Sequence, residues 1–130
     1  MPSGFTLRGR IEMKGKILKI AQKTPRKFAA AAKAEMEIEK RESQRRTPVL
    51  TGKLRDDHKV QEPVISGNTI SVTITVGGPE VPYAVEVHEN LSAFHPTGQA
   101  KFLESTLMES EKFMAARIAR RVELDERRLF

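Results

Sequence analysis

The chain has no cysteine and no tryptophan, and it has a single tyrosine among its 130 residues. The absence of cysteine excludes a disulfide framework and thiolate chemistry, and it fits a reducing compartment. A core must therefore be built from aliphatic side chains, with help from six phenylalanines and five methionines. No apolar run is long enough to cross a bilayer, and the N-terminus lacks the apolar stretch of a secretory signal. We expect neither membrane insertion nor secretion.

The sequence also lacks the motifs of common catalytic and cofactor sites. Its three histidines, His58, His88 and His95, do not have the HExxH spacing of a zinc site. There is no GxSxG nucleophile motif, and no glycine-rich segment matches a nucleotide-binding loop. Asp56 and Asp57 are adjacent, so on a strand they would point to opposite faces rather than form an acid–base pair. We predict a protein that is not an enzyme and that needs no metal or cofactor.

Positive charge is concentrated in the first 27 residues. The formal net charge is +6, from 23 Lys and Arg against 17 Asp and Glu. Eight of the basic residues and one acidic residue lie in residues 1–27, so this segment carries the whole positive excess. Such asymmetry is typical of chains that contact a polyanion or an acidic protein surface. The candidate contact residues are Arg8, Arg10, Lys14, Lys16, Lys19, Lys23, Arg26 and Lys27.

The first helix is predicted within this basic segment. Residues 1–7 are expected to be a loose arm, and a helical pattern covers residues 8–23. Lys16, Lys19 and Lys23 fall on one side of that helix, opposite its apolar residues. Phosphate contact and a plain solvated face are both consistent with this pattern. No aromatic residue interleaves with the lysines, so base stacking is not implied.

A second helix is predicted to begin at Thr24-Pro25, with threonine as the N-cap and proline at the first helical position. It should run to about Arg45, so the helical region covers residues 8–46. Its second half, residues 35–46, is almost entirely charged. We expect that half to be solvated or to face a neighbouring subunit.

The middle of the chain reads as a β region over residues 53–89. Leu54–Ile65 is predicted to be a first strand, residues 66–68 a turn, and Thr69–Val76 a strongly alternating second strand, so that the two form a hairpin. Tyr83–His88 is either a third strand or a short helical turn.

A long amphipathic helix is predicted for residues 100–127. Its apolar stripe consists of Leu103, Leu107, Met114, Ile118 and Val122. The fold class is therefore α+β in a single domain, residues 1–130: two N-terminal helices, a small antiparallel sheet built on a β-hairpin, and a long C-terminal helix packed on the sheet.

Three short motifs occur in a characteristic order. They are Thr47-Pro48-Val49-Leu50-Thr51-Gly52-Lys53-Leu54-Arg55, then Tyr83-Ala84 with Val87-His88-Glu89, then Lys101-Phe102-Leu103. In this order, the chain resembles the small neck or tail-completion proteins of long-tailed bacteriophages, which are also described as minor capsid or minor tail components. Residues 24–110 carry the resemblance. One departure is Asn90-Leu91-Ser92, where the family often has Gly-Thr.

The resemblance implies a structural role without catalysis. Such proteins form a ring, expected to be six-fold, in the virion neck, where the tail joins the DNA-filled head; during assembly they are in the host cytoplasm. The implied partners are further copies of the chain, the connector or stopper, the tail terminator or tail-tube proteins, and genomic DNA contacted without regard to sequence. No membrane is involved. The expected subunit or neighbour contacts are Pro48, Thr51, Gly52, Arg55, Tyr83, His88, His95, Leu129 and Phe130.

Two other functions remain open at this point. One is a small basic nucleic-acid-binding protein that acts alone, which the charge of the N-terminal segment favours. The other is a tail terminator, which occupies the adjacent layer of the virion and has a similar helix-and-sheet composition.

Overall fold

The computed structural model describes residues 6–47, 56–77 and 102–127. In these ranges the chain forms four strands and three helices, which confirms the predicted α+β class. The strands are β1 (Thr6–Met13), β2 (His58–Val60), β3 (Val64–Ser66) and β4 (Thr69–Gly77). The helices are α1 (Lys16–Lys23), α2 (Pro25–Arg46) and α3 (Phe102–Arg127).

The four strands form one antiparallel sheet with β4 at its centre. β1 pairs with one side of β4 from Ile70 to Gly77, while β2 and β3 share the other side. β3 and β4 form the predicted hairpin, in which Ser66 is opposite Thr69. Gly67, between them, has a φ of 61°, a conformation that glycine adopts without a steric penalty.

The predicted strand Leu54–Ile65 is interrupted. Residues 56–65, the described part of this predicted strand, contain β2 and the start of β3. The three residues from Gln61 to Pro63 separate the two strands. The Gln61 amide still donates to the Thr73 carbonyl at 2.9 Å, but proline has no amide hydrogen with which to continue the ladder. Pro63 thus explains why one predicted strand is two short ones.

β4 has the predicted alternation. Ile70, Val72, Ile74 and Val76 are each at most 1% exposed. The hydroxyl residues between them are half-buried and lie on the opposite, polar face of the sheet. The inner face is therefore the one that the helices cover.

The predicted helix over residues 8–23 is wrong for its first part, because β1 occupies residues 6–13. Ile11 and Met13 are buried, whereas Arg8, Arg10 and Glu12 are exposed, which is the period of a strand. Gly9 lies on the inner face of the strand, between the exposed Arg8 and Arg10. Because glycine has no apolar side chain, it interrupts the alternation of apolar and polar residues that would predict a strand.

Gly9 is needed for the close packing of β1 against α3. A Cβ atom built at Gly9 would lie 2.8 Å from Leu103 Cγ and closer still to Leu107 Cδ1. We expect Gly9→Val to destabilise the protein by about 1–3 kcal/mol through overpacking. Urea denaturation measures the loss. Arg10→Val, on the outward face of the same strand, should have little effect, and adding Leu107→Ala to Gly9→Val should restore part of the stability.

The helices form one layer over the inner face of the sheet. α2 and α3 are antiparallel: Arg46 lies near Ser105 at the start of α3, and Glu35 lies near Arg121 towards its end. α1 packs against both helices. The predicted apolar stripe of α3 is entirely buried in a core formed with the sheet and α2. The core residues of the stripe and sheet are Leu103, Leu107, Met114, Ile118, Val122, Ile11, Met13, Ile70, Val72, Ile74 and Val76.

α2 begins at the predicted residue, Pro25, although its cap differs from the prediction. The Thr24 hydroxyl donates to the Ile20 carbonyl at 2.8 Å and makes no N-cap hydrogen bond. Thr24 therefore closes α1 instead of opening α2. Because one residue separates the two helices, the chain turns sharply at this point and places the start of α2 beside the end of α1.

Candidate functional site

α1 presents three lysines on one exposed face. Lys16, Lys19 and Lys23 are exposed, while Ile17 and Ala21 on the other side are 4% and 1% exposed. Spacings of three and four residues place the lysine side chains on adjacent turns of the helix. The predicted lysine stripe is thus present on a helix that begins at Lys16.

Further cations flank this stripe. Lys14 is exposed two residues before α1. Arg26 and Lys27 lie in the first turn of α2, where Arg26 is exposed and Lys27 is half-buried. We refer to these six residues as the α1 basic surface: Lys14, Lys16, Lys19, Lys23, Arg26 and Lys27. The segment that contains them, residues 14–27, has no acidic residue.

The cations of the α1 basic surface have no ion-pair partners among the described residues. Elsewhere, many cations are paired: Lys33 with Glu62, Lys40 with Glu37, Arg45 and Arg46 with Glu42, Arg117 with Glu39 and Arg121 with Glu35. A cluster of cations without ion-pair partners is suited to binding an anion with several charges. Two acidic residues of the C-terminal helix lie at its border, since Glu123 lines the same pocket as Lys23 and Asp125 the same pocket as Lys27.

The other two predicted contact residues do not join this surface. Arg8 and Arg10 lie on β1 and point to the open face of the sheet, opposite Thr75 and Thr73. Arg10 also forms a 3.1 Å ion pair with Glu12. The predicted set of eight cations is therefore divided between two surfaces, because residues 8–13 are strand and not helix.

One face of the charged half of α2 is buried within the chain, whereas the sequence predicted that this half is solvated or faces a neighbouring subunit; its other face is exposed. Glu35 and Glu39 are 6% and 3% exposed and face α3. Arg121 pairs with Glu35, and Arg117 lies 3.6 Å from Glu39. These partners are some 80 residues apart in the sequence, so the helix pattern alone gave no sign of them. Only the carboxylates of these pairs are buried, since the Arg117 and Arg121 side chains are 47% and 41% exposed.

Two glutamates of α2 have shifted pKa values in opposite directions. Burial raises the pKa of Glu39, although a hydrogen bond with Ser110 and the charge of Arg117 act against this shift. The hydrogen bond from Arg45 lowers the pKa of Glu42 to about 2. The protonated form of Glu39 therefore favours the folded state, whereas for Glu42 the ionised form does so.

These shifts predict opposite effects of pH. Because the pKa of Glu39 is raised in the folded state, the stability that comes from its protonated carboxyl is complete below about pH 4.5. That stability is lost as the pH rises through the folded pKa. Glu39→Gln mimics the neutral acid, so its free energy of unfolding relative to the wild type should increase with pH above that value. Urea denaturation across a pH series measures the difference.

Glu42→Gln is the matched control. Because the pKa of Glu42 is lowered, its contribution is complete above about pH 4.5 and is lost as pH falls towards 2. The difference between this variant and the wild type should therefore change only at acidic pH. If the free energies of unfolding of Glu39→Gln and the wild type differ by the same amount at all pH values, burial does not disfavour the ionised carboxylate of Glu39.

His58, one of the three histidines, is a core residue. It is 4% exposed, its Nε2 is 2.7 Å from Ser43 Oγ, and its ring centroid lies 5.8 Å from that of Phe102. Within the described ranges, no three acidic or histidine side chains are gathered as a metal site would require. His58 thus connects β2 to α2 and α3.

The nine predicted subunit contacts fall outside the described residues. They are Pro48, Thr51, Gly52, Arg55, Tyr83, His88, His95, Leu129 and Phe130. Three residues of the short motifs are described: Thr47 and Phe102 are completely buried, and Leu103 is 2% exposed. The Thr47 hydroxyl donates to the Ser43 carbonyl at 2.8 Å at the end of α2.

Comparison with protein families, with curated proteins and with solved structures finds no match for this chain. None of the helices in the described ranges combines the length and apolar character needed to span a bilayer.

Proposed function

We propose that this protein is a structural component of the bacteriophage neck. It acts as a tail-completion or head–tail joining protein and forms a ring around the passage through which DNA leaves the head. It carries out no catalysis. Its partners are further copies of itself, the connector or stopper, and the tail terminator or tail-tube proteins.

The α1 basic surface is the observation that carries this proposal. Its cations have no described acidic partners, and no aromatic side chain lies among them for stacking on bases. Such a surface suits phosphates contacted without regard to sequence, as a ring around a DNA passage requires. The arrangement of short motifs around residues 47–55, 83–89 and 101–103 is the second support.

Labelling of virions tests the location. Antibody against the chain, coupled to gold particles, should mark the joint between head and tail in electron micrographs of purified phage. Label on the capsid shell, along the tail tube or on no part of the particle would contradict the proposal. Label that stays at the head-proximal end of free tails from a head-defective lysate would indicate a tail terminator.

A nucleic-acid-binding protein that acts alone is the second candidate, since the α1 basic surface would serve it equally well. Mass photometry separates the two, because a neck protein should form a ring by itself or on its partners. A chain that remains monomeric, binds duplex DNA and is absent from virions would support the second candidate.

A further inference from the structure

A groove runs between α2 and α3 on the side of the helices that is turned away from the sheet. On α2, spacings of three and four residues place four side chains in one row: Ala30, Ala34, Ile38 and Arg41. On α3, the same spacings give a second row: Phe113, Arg117, Arg120 and Leu124. We refer to these eight residues as the α2–α3 groove. The core residues of both helices lie on their other sides.

The two rows border one depression of the surface. Ala30 and Ala34 of α2 line a pocket of about 240 Å³ together with Leu124 of α3. A second pocket, of about 280 Å³, lies farther along α3 and is lined by Phe113, Arg117 and Arg120. The short alanine side chains leave room between the helices, so the backbone of another helix can approach closely.

The groove exposes large apolar side chains. Ile38, Phe113 and Leu124 are 41%, 54% and 42% exposed. Exposed apolar side chains are common singly, but several of them along one groove, bordered by charged residues, mark a surface that another molecule covers. Each row is about eleven residues long, roughly 17 Å, which is the length of three turns of a docked helix.

The charge of the groove specifies the chemistry of its partner. Three of the eight residues are arginines, and none is acidic. Arg41 and Arg120 are exposed and have no ion-pair partner among the described residues. Arg117 is near Glu39, but its side chain is still 47% exposed, and its guanidinium lies 5.7 Å from the centroid of the Phe113 ring. A complementary surface therefore carries carboxylates beside apolar side chains.

We propose that the α2–α3 groove binds an amphipathic helix of a partner protein, one whose apolar stripe is flanked by aspartate and glutamate. Helices of this kind commonly dock in an apolar groove through residues spaced three and four apart. A second copy that met the groove with its own groove would set arginine against arginine. A DNA duplex would leave the apolar side chains uncovered. This surface is separate from the α1 basic surface, and its assignment does not rest on the proposed function.

Binding of synthetic helices tests the assignment. The probe is a fluorescent peptide of about 18 residues, long enough to form a helix on binding, with leucines spaced three and four apart, glutamates beside them and alanine elsewhere. A second peptide has lysine in place of every glutamate. Fluorescence anisotropy with the full-length chain should show that the glutamate peptide binds more tightly by about 10-fold or more. In NMR spectra of the isotope-labelled chain, the signals that shift should be those of the α2–α3 groove.

Charge reversal in the groove gives the sharper comparison. Arg41→Glu combined with Arg120→Glu should weaken binding of the glutamate peptide by about 10-fold or more and strengthen binding of the lysine peptide. Lys59→Glu combined with Lys112→Glu is the matched control, because it changes the net charge equally at exposed positions outside the groove. It should leave the preference for the glutamate peptide intact. Urea denaturation of each variant checks that the fold is kept.

Several results would overturn the proposal. They are equal affinity for the two peptides, equal losses in the two double variants, and shifted signals confined to α1. Absence of peptide binding would do so as well, whether the groove is then covered by the chain's own residues outside the described ranges, by a second copy or by a vesicle of anionic lipid. Gold labelling at the neck is read separately, so failure here leaves the neck assignment standing.

Discussion

Replacing Lys16, Lys19 and Lys23 together by glutamate should abolish most of the affinity for duplex DNA. The three side chains are exposed on α1 and have no described acidic partner, so each is free to contact a phosphate. Three lost contacts and three new repulsions should weaken binding by roughly 100-fold or more at moderate salt, and the slope of log K against log salt should flatten by about three. Fluorescence anisotropy with a labelled duplex over a salt series measures both quantities.

Two control variants separate charge at this site from net charge. The conservative set Lys16→Arg, Lys19→Arg and Lys23→Arg should keep the affinity, because phosphate contacts need a cation but no particular geometry. Glutamate at Arg41, Lys112 and Arg120 changes the net charge equally at exposed positions away from α1. If this distant set weakens binding as much as the α1 set, the α1 basic surface is not the site.

Phe102→Ala should have the largest effect on stability. Phe102 is completely buried at the start of α3, and its ring packs near His58. Truncation of a buried phenylalanine costs about 3–5 kcal/mol, from lost apolar burial and from the cavity that remains. That is a large share of the stability of a small domain. The midpoint of urea denaturation should fall accordingly.

Phe113→Ala is the comparison, as it removes the same ring from the same helix. Phe113 is 54% exposed and lies beside Arg117, so its loss should cost far less. Similar losses of stability for the two variants would contradict the complete burial of Phe102.

The sequence predicted those elements whose pattern is local. β4 alternates without interruption, the proline at residue 25 marks the start of α2, and the stripe of α3 repeats at helical spacing. β1 was missed because Gly9 leaves a gap in its alternation. That gap has a physical cause, the close approach of Leu103 and Leu107, which no local pattern reveals.

The candidate site was predictable to a similar degree. Clustering of cations near the N-terminus was evident from the sequence, and the lysines of α1 do share an exposed face. Which cations belong together was not evident, since it depends on the strand that turns Arg8 and Arg10 to the open face of the sheet. The buried position of Glu35 and Glu39 likewise depends on α3, whose arginines are distant in the sequence.

Infectivity is the most direct test of the central claim that the α1 basic surface serves the neck. Phage that lack this gene are supplied with either the glutamate or the arginine version of Lys16, Lys19 and Lys23, and plaques and electron micrographs are compared. We expect the arginine version to restore infectious particles, and the glutamate version to leave heads that are unjoined or have lost their DNA. Normal numbers of joined, DNA-filled and infectious particles from the glutamate version would contradict the account.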